Sequence, residues 1–366
     1  MLDQTPASPA GEAYDAPLPE IVRHRPEFSG RAGEYFGIWI VNVMLTILTL
    51  GIYSAWAKVR TERYFYGNTR LAGSAFEYLA DPIRILKGRL IAYAVVIALG
   101  LSSHFMPVLY LILIGAVYLC VPLLICLATR FRARYSAWRG LRFGFVNGVG
   151  EAYGPFLGWV LLSGLSLSLL SPLAKRRQHE YLVSGHRFGS AVFTFHGNAG
   201  DYYVPYLVAI GLGVLVFAGG AGVMVGAIAV AGGENSGGTL SGASQAAIFG
   251  GMALFYLGLF AVLAYLRTQQ TNLLWNNTRL GEHRFESTLE SHVVIWLYFS
   301  NLVAILCTLG LATPWAMVRL ARYRAEHFVL VASDSLDEFV TELGADRNAT
   351  GAEMVDALDL GMDIGL

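Results

Sequence analysis

The chain has 366 residues, 55% of them hydrophobic and only 14% charged, with a mean hydropathy of +0.51 and a formal net charge of zero. A soluble domain carries about 25% charged residues, so this composition excludes a free globular protein and points to a multi-pass membrane protein. Charge is segregated: residues 1–27 sum to −3, 28–332 to +11 and 333–366 to −8.

In chain order, residues 1–27 read as a polar N-terminal extension with no apolar core of a cleavable signal. An integral membrane repeat domain follows at 28–332, with seven apolar segments at about 36–57, 90–104, 106–128, 153–173, 204–231, 246–266 and 292–315. The second and third form a tight helical hairpin across Pro107, and GGENSGGTLSGASQ joins the fifth and sixth. Ala218, Gly222 and Gly226 read as a small-residue packing face. The tail 333–366 is acidic, and its end, GAEMVDALDLGMDIGL, leaves a short amphipathic helix and a solvated tail both open. Cys120, Cys126 and Cys307 sit in apolar runs as structural thiols.

Every connection except the second-to-third and the fifth-to-sixth is rich in Lys and Arg, and the positive-inside rule places all of these in the cytoplasm. Segments 36–57, 153–173 and 292–315 would then have cytoplasm at both ends. Either they are re-entrant, with irregular backbone covered by protein or water, or they span and the charge rule fails. Both remain open.

The connections repeat. TLGIYSAWAKVRTERY at 49–64 returns as TLGLATPWAMVRLARY at 308–323, an offset of 259 that also relates Asn42 to Asn301. SPLAKRR at 171–177 lies 117 residues beyond SAWAKVR, and NTRL occurs at 68–71 and 277–280. Glycine-punctuated apolar/polar alternation, as in FSGRAGEY, FHGNAGDY and GLRF, reads as short β-hairpins. The expected fold class is therefore an all-α polytopic membrane protein with short β-hairpins between membrane segments and internal repeats. TLGIYSAWAKVRTERYFYGNTRLAGSAFEY, WRGLRFGF and the acidic C-terminus resemble the YjgN family of bacterial inner-membrane proteins. The resemblance runs from about residue 26 onward and implies residence in the bacterial inner membrane. The family's function is unknown, so it implies no reaction.

Candidate residues follow from the repeated phrase. Arg60, Arg63 and Tyr64, with Arg319, Arg322 and Tyr323, fall at i, i+3, i+4 on one helical face. With Arg70 and Arg279 they suit an anionic ligand or lipid head groups, and equally plain head-group anchoring. Asn42 and Asn301 are intramembrane polar residues, for a solute path or for locking helices together. Trp56 and Trp315 suit the interfacial belt. No metal-ligand spacing, nucleotide fingerprint or nucleophile–base constellation is present, so no metal, cofactor, nucleic acid or catalysis is expected. Two functions remain: a transporter or channel-like protein for a small anionic or amphipathic solute, or a scaffold binding the anionic head groups of membrane lipids.

Overall fold

The computed structural model describes residues 21–233, 242–333 and 335–349; the 1–20 part of the extension and the 351–366 tail lie outside them. Helices dominate, but the hairpins are not separate ornaments between them. They join into one eleven-stranded antiparallel sheet, which corrects the all-α expectation.

The unit of construction is a helix running straight into a hairpin. Helix α2 (Ser54–Gly67) leads into β3 (Thr69–Leu71) and β4 (Ser74–Tyr78), and α4 (Pro107–Arg134) into β5 (Ser136–Trp138) and β6 (Leu141–Phe145). Next, α7 (Ser171–Gly185) leads into β7 (His186–Phe188) and β8 (Ala191–Phe195), and α9 (Gly242–Asn276) into β9 (Thr278–Leu280) and β10 (His283–Ser287). Last, α11 (Thr313–Glu326) leads into the single strand β11 (Phe328–Ala332). Two-residue turns make the hairpins tight. Ala72-Gly73 and Arg139-Gly140 have positive φ at both positions, and Gly189 and Gly281 at the first, as the mirror-image turns that match strand twist require.

Each hairpin then pairs with the next, β4 with β5, β6 with β7, β8 with β9 and β10 with β11. The sheet ends at β1 (Val22–His24), paired with β11, and β2 (Glu27–Phe28), paired with β3. Only Arg25 and Pro26 separate these two end strands, so these chain ends lie within about 10 Å of each other, and the sheet is a curled half-barrel. Its inner face carries Leu71, Trp138, Leu141, Phe188, Leu280 and Leu330, closed at one mouth by Leu336 and Leu343 of α12 (Leu336–Ala349).

The helices form a ring of contacts over the sheet. Helix α1 (Ala32–Leu48) packs on α2, α2 on α3 (Pro82–Phe105), α3 on α4, and α4 on the short α5 (Val149–Tyr153). A π-helical turn, Gly154–Gly158, leads into α6 (Trp159–Leu165), which packs on α7. Contacts continue through α8 (Ala199–Gly233), α9 and α10 (Ser291–Cys307) to α11, which closes on α1.

Among the described residues, four helices are long and apolar enough to cross a membrane: Pro82–Phe105, Pro107–Arg134, Ala199–Ala229 and Gly242–Asn276. The other three apolar segments are each broken and fold back on themselves. Leu50 and Gly51, Leu167 and Ser168, and Leu309 and Gly310 all have positive φ, at offsets of 117 and 259. The repeated Thr-Leu-Gly has a mechanical reading. Thr49 Oγ1 accepts from Tyr53 N at 2.9 Å and Thr308 Oγ1 from Ala312 N at 2.9 Å, holding the start of the returning helix; Ser166 Oγ does the same for Leu170 N at 3.1 Å. The glycine takes the left-handed position, and its N–H bonds back to Thr46 O or Ile305 O at 2.7 Å. Between them the leucine stands at the tip.

A cationic chamber where the helices meet the sheet

The base of each broken hairpin is tied by a tyrosine. Tyr64 OH accepts from Arg31 N at 2.8 Å, Tyr323 OH from Glu290 N at 3.0 Å, and Tyr181 OH donates to Gly148 O at 3.1 Å, each across 33 residues. Arg31, Gly148 and Glu290 are the N-cap residues of α1, α5 and α10. Halfway up, Asn42 Nδ2 donates to Ala57 O and Asn301 Nδ2 to Ala316 O, both at 3.4 Å, so each asparagine joins the two arms of its own hairpin.

The arginines of the repeated phrase diverge. Arg319 Nη1 donates to Ser300 Oγ at 2.7 Å and Asn301 Oδ1 at 3.2 Å while its guanidinium lies over Trp315. Arg60 instead donates to Tyr53 OH at 3.2 Å, Trp56 stacks on Tyr53, and the buried Asn42 Oδ1 has no partner among the described residues. Arg63 donates to Tyr78 O and Arg322 to Gly30 O, tying helices to neighbouring segments. Arg70 and Arg279 lie on the outer face of the sheet, Arg70 opposite Glu27. The two basic trios therefore do not form a pair of matching clefts; of their six residues, Tyr323 alone reaches the chamber described next.

That chamber, about 1080 Å³, lies where the ends of α2, α4, α9 and α11 enter the sheet. Its wall is aromatic, with Phe65, Tyr66, Trp275 and Tyr298 above and Phe76, Phe143 and Phe328 toward the sheet. Three guanidiniums, Arg132, Arg267 and Arg324, line it, and no Asp or Glu does among the described residues. Arg324 donates to Tyr298 OH at 3.4 Å. His186 also lines the chamber; burial, with Arg132 nearby, lowers its pKa, so it is neutral at pH 7 and the arginines carry the charge. A site of this kind suits an anion with an apolar body, since guanidiniums bind phosphate or carboxylate bidentately and the rings cover the rest.

The sequence places these three arginines among the basic connections but does not mark them as a site. Arg132 and Arg324 each precede the first residue of a strand by four positions, one helical turn. At that position the other units carry Phe65, Leu182 and Leu274, so no phrase repeats there.

A family of bacterial proteins of unknown function, DUF898, matches residues 23–357. The chain belongs to this family. The chain is also similar to the "Inner membrane protein YjgN" of Salmonella typhimurium, 25% identical over 348 residues, covering 83% of this chain and 87% of that one. The protein of the same name from Escherichia coli (strain K12) is 25% identical over 298 residues, 80% of this chain and 59% of that one. No solved structure matches. With four apolar helices of spanning length, this DUF898 chain is a multi-pass inner-membrane protein.

Proposed function

We propose that the protein crosses the inner membrane with α3, α4, α8 and α9, dips three helical hairpins into it from the cytoplasmic face, and binds an anionic amphiphile in the chamber they surround. The single sheet supports a common side for all the basic hairpins, because strands paired with one another cannot lie on opposite faces of a bilayer. The tips support re-entry. Leu50, Leu167 and Leu309 are 93%, 89% and 95% exposed, an arrangement that is costly in water and favourable in hydrocarbon.

The observation that carries ligand binding is the chamber's combination of three arginines, no carboxylate and aromatic walls. Beneath it, Phe76, Phe143, Trp275 and Phe328 pack on the apolar core that α12 covers. That filled floor favours binding of an amphiphile over a channel along the sheet axis, so a lipid-binding role stands ahead of a solute path. Titration of the detergent-solubilised protein with dodecyl phosphate tests the assignment, with dodecyltrimethylammonium as the cationic control. Saturable binding of the phosphate alone, lost in R132Q/R267Q/R324Q, is expected; unchanged binding by that variant refutes it. Uptake of the phosphate into proteoliposomes would restore the transport reading.

A further inference from the structure

The outer face of the sheet is charge-balanced over part of its circumference and unbalanced over the rest. On the balanced side Glu27 faces Arg70 in register, and Arg23 is ion-paired with Glu286. From β6 to β10 the outward positions carry Arg142, Arg187, Arg279 and Arg284, and the one carboxylate among them, Glu286, is taken up by Arg23. Among the described residues none of these four side chains has an ion-pair or hydrogen-bond partner. Arg279 and Arg284 stand directly opposite one another across β9 and β10, a pairing of like charges that destabilises a sheet. Arg187 faces Gly144, where a Cβ would come within 2.5 Å of its Nε. The glycine thus lets Arg187 lie across β6 beside Arg142, two residues along the same face.

Four guanidiniums without a partner among the described residues, over about 19 Å of wall, repel one another unless an anion lies against them. We infer that this wall of the sheet is a docking surface for the anionic head groups of inner-membrane phospholipid. Its position favours lipid over an acidic polypeptide. Arg187 and Arg279 are the second residues of strands that follow α7 and α9 directly. They therefore lie within about 10 Å of the helix ends, at the rim where the sheet meets the helical layer. A lipid surface offers phosphates as a dense layer at that level, and each basic residue near it contributes an attraction equivalent to roughly fivefold in binding.

The test places the full chain in phosphatidylcholine nanodiscs with increasing fractions of phosphatidylglycerol and follows Tm and the phosphatidylglycerol retained in native mass spectrometry. Wild type gains Tm with the anionic lipid. R142Q/R187Q/R279Q/R284Q loses that gain, while R23Q/R70Q, on the balanced wall, keeps it. Should the fourfold variant fail to fold, R279Q alone suffices. Relief of its like-charge contact leaves Tm in pure phosphatidylcholine equal or higher, while preference for phosphatidylglycerol falls roughly fivefold. A gain retained by the fourfold variant, or lost equally in R23Q/R70Q, overturns the inference. So does stabilisation by poly-glutamate with indifference to phosphatidylglycerol, which makes the wall a polypeptide site. Arg132, Arg267 and Arg324 are untouched in all these variants, so dodecyl phosphate binding reports on the chamber separately.

Discussion

A hydroxyl group is what Tyr64, Tyr181 and Tyr323 add to phenylalanine, and in each case it ties a hairpin's returning arm to the N-cap of its outgoing one. Tyr323→Phe leaves the Glu290 amide without that acceptor, and stability is expected to fall by about 1 kcal/mol, read as a lower midpoint in denaturant titration. The ring stays, so dodecyl phosphate binding should persist. A second residue-scale prediction concerns His179, buried with its Nδ1 2.6 Å from Tyr202 OH. Burial, reinforced by Lys175, lowers its pKa to about 3, against about 6.5 in an unfolded chain. Between those values the unfolded state binds the proton and the folded state does not, so stability rises with pH through this window. It is fully present above about pH 6.5 and is lost as pH falls toward 3. His179→Asn should flatten the Tm–pH slope between pH 5 and 6.5; an unchanged slope would assign it to other groups.

At the scale of elements, the broken hairpins were the most legible part of the chain. Leucine stands at all three tips, tyrosine at all three bases and a Thr or Ser hydroxyl at all three returning caps, at one spacing, so residue type survived where geometry required it. Packing of the long helices was less so. Gly222 and Gly226 meet nothing within 4 Å, whereas α8 and α9 touch through Gly220 and Gly251, where an added Cβ would come to 3.0 Å from Phe255 and Met224. A small-residue pattern shows where close approach is permitted, and α8 has glycines on more than one face. Gly251→Leu should therefore cost about 1–3 kcal/mol and Gly222→Leu little, as compared by heat-induced aggregation of the two variants. The sheet stayed hidden for a different reason. Its strands are three to five residues in the hairpins, too short for a periodicity to stand out. The pairing of one hairpin with the next, such as Phe76 with Trp138, joins residues with no local signal.

For the whole molecule, the sheet sets a condition on sidedness that no hydropathy profile supplies. Single cysteines replacing Glu77, Val146, Thr194 and Glu282, one in each hairpin region, should behave alike toward a membrane-impermeant thiol reagent. All should be silent in intact cells and all reactive in inverted vesicles. Labelling of some and not others in intact cells would break the single-sheet topology. The chamber was illegible at this scale because its arginines come from α4, α9 and α11, far apart in the chain, and meet only when the helices close over the sheet.

That closure has a history in time. The end strand β1 is made roughly 300 residues before its partner β11, about 15–60 s earlier at the usual pace of translation. Throughout synthesis the growing sheet must therefore keep an open edge at each end, a template for wrong pairing. Some 300 residues must emerge from the ribosome before Val22–His24 can find Leu330–Ala332. A chain cut short anywhere before Phe328 is left with that edge permanently unfilled, which makes the last strand, rather than the first membrane helix, the step that commits the protein to its final form.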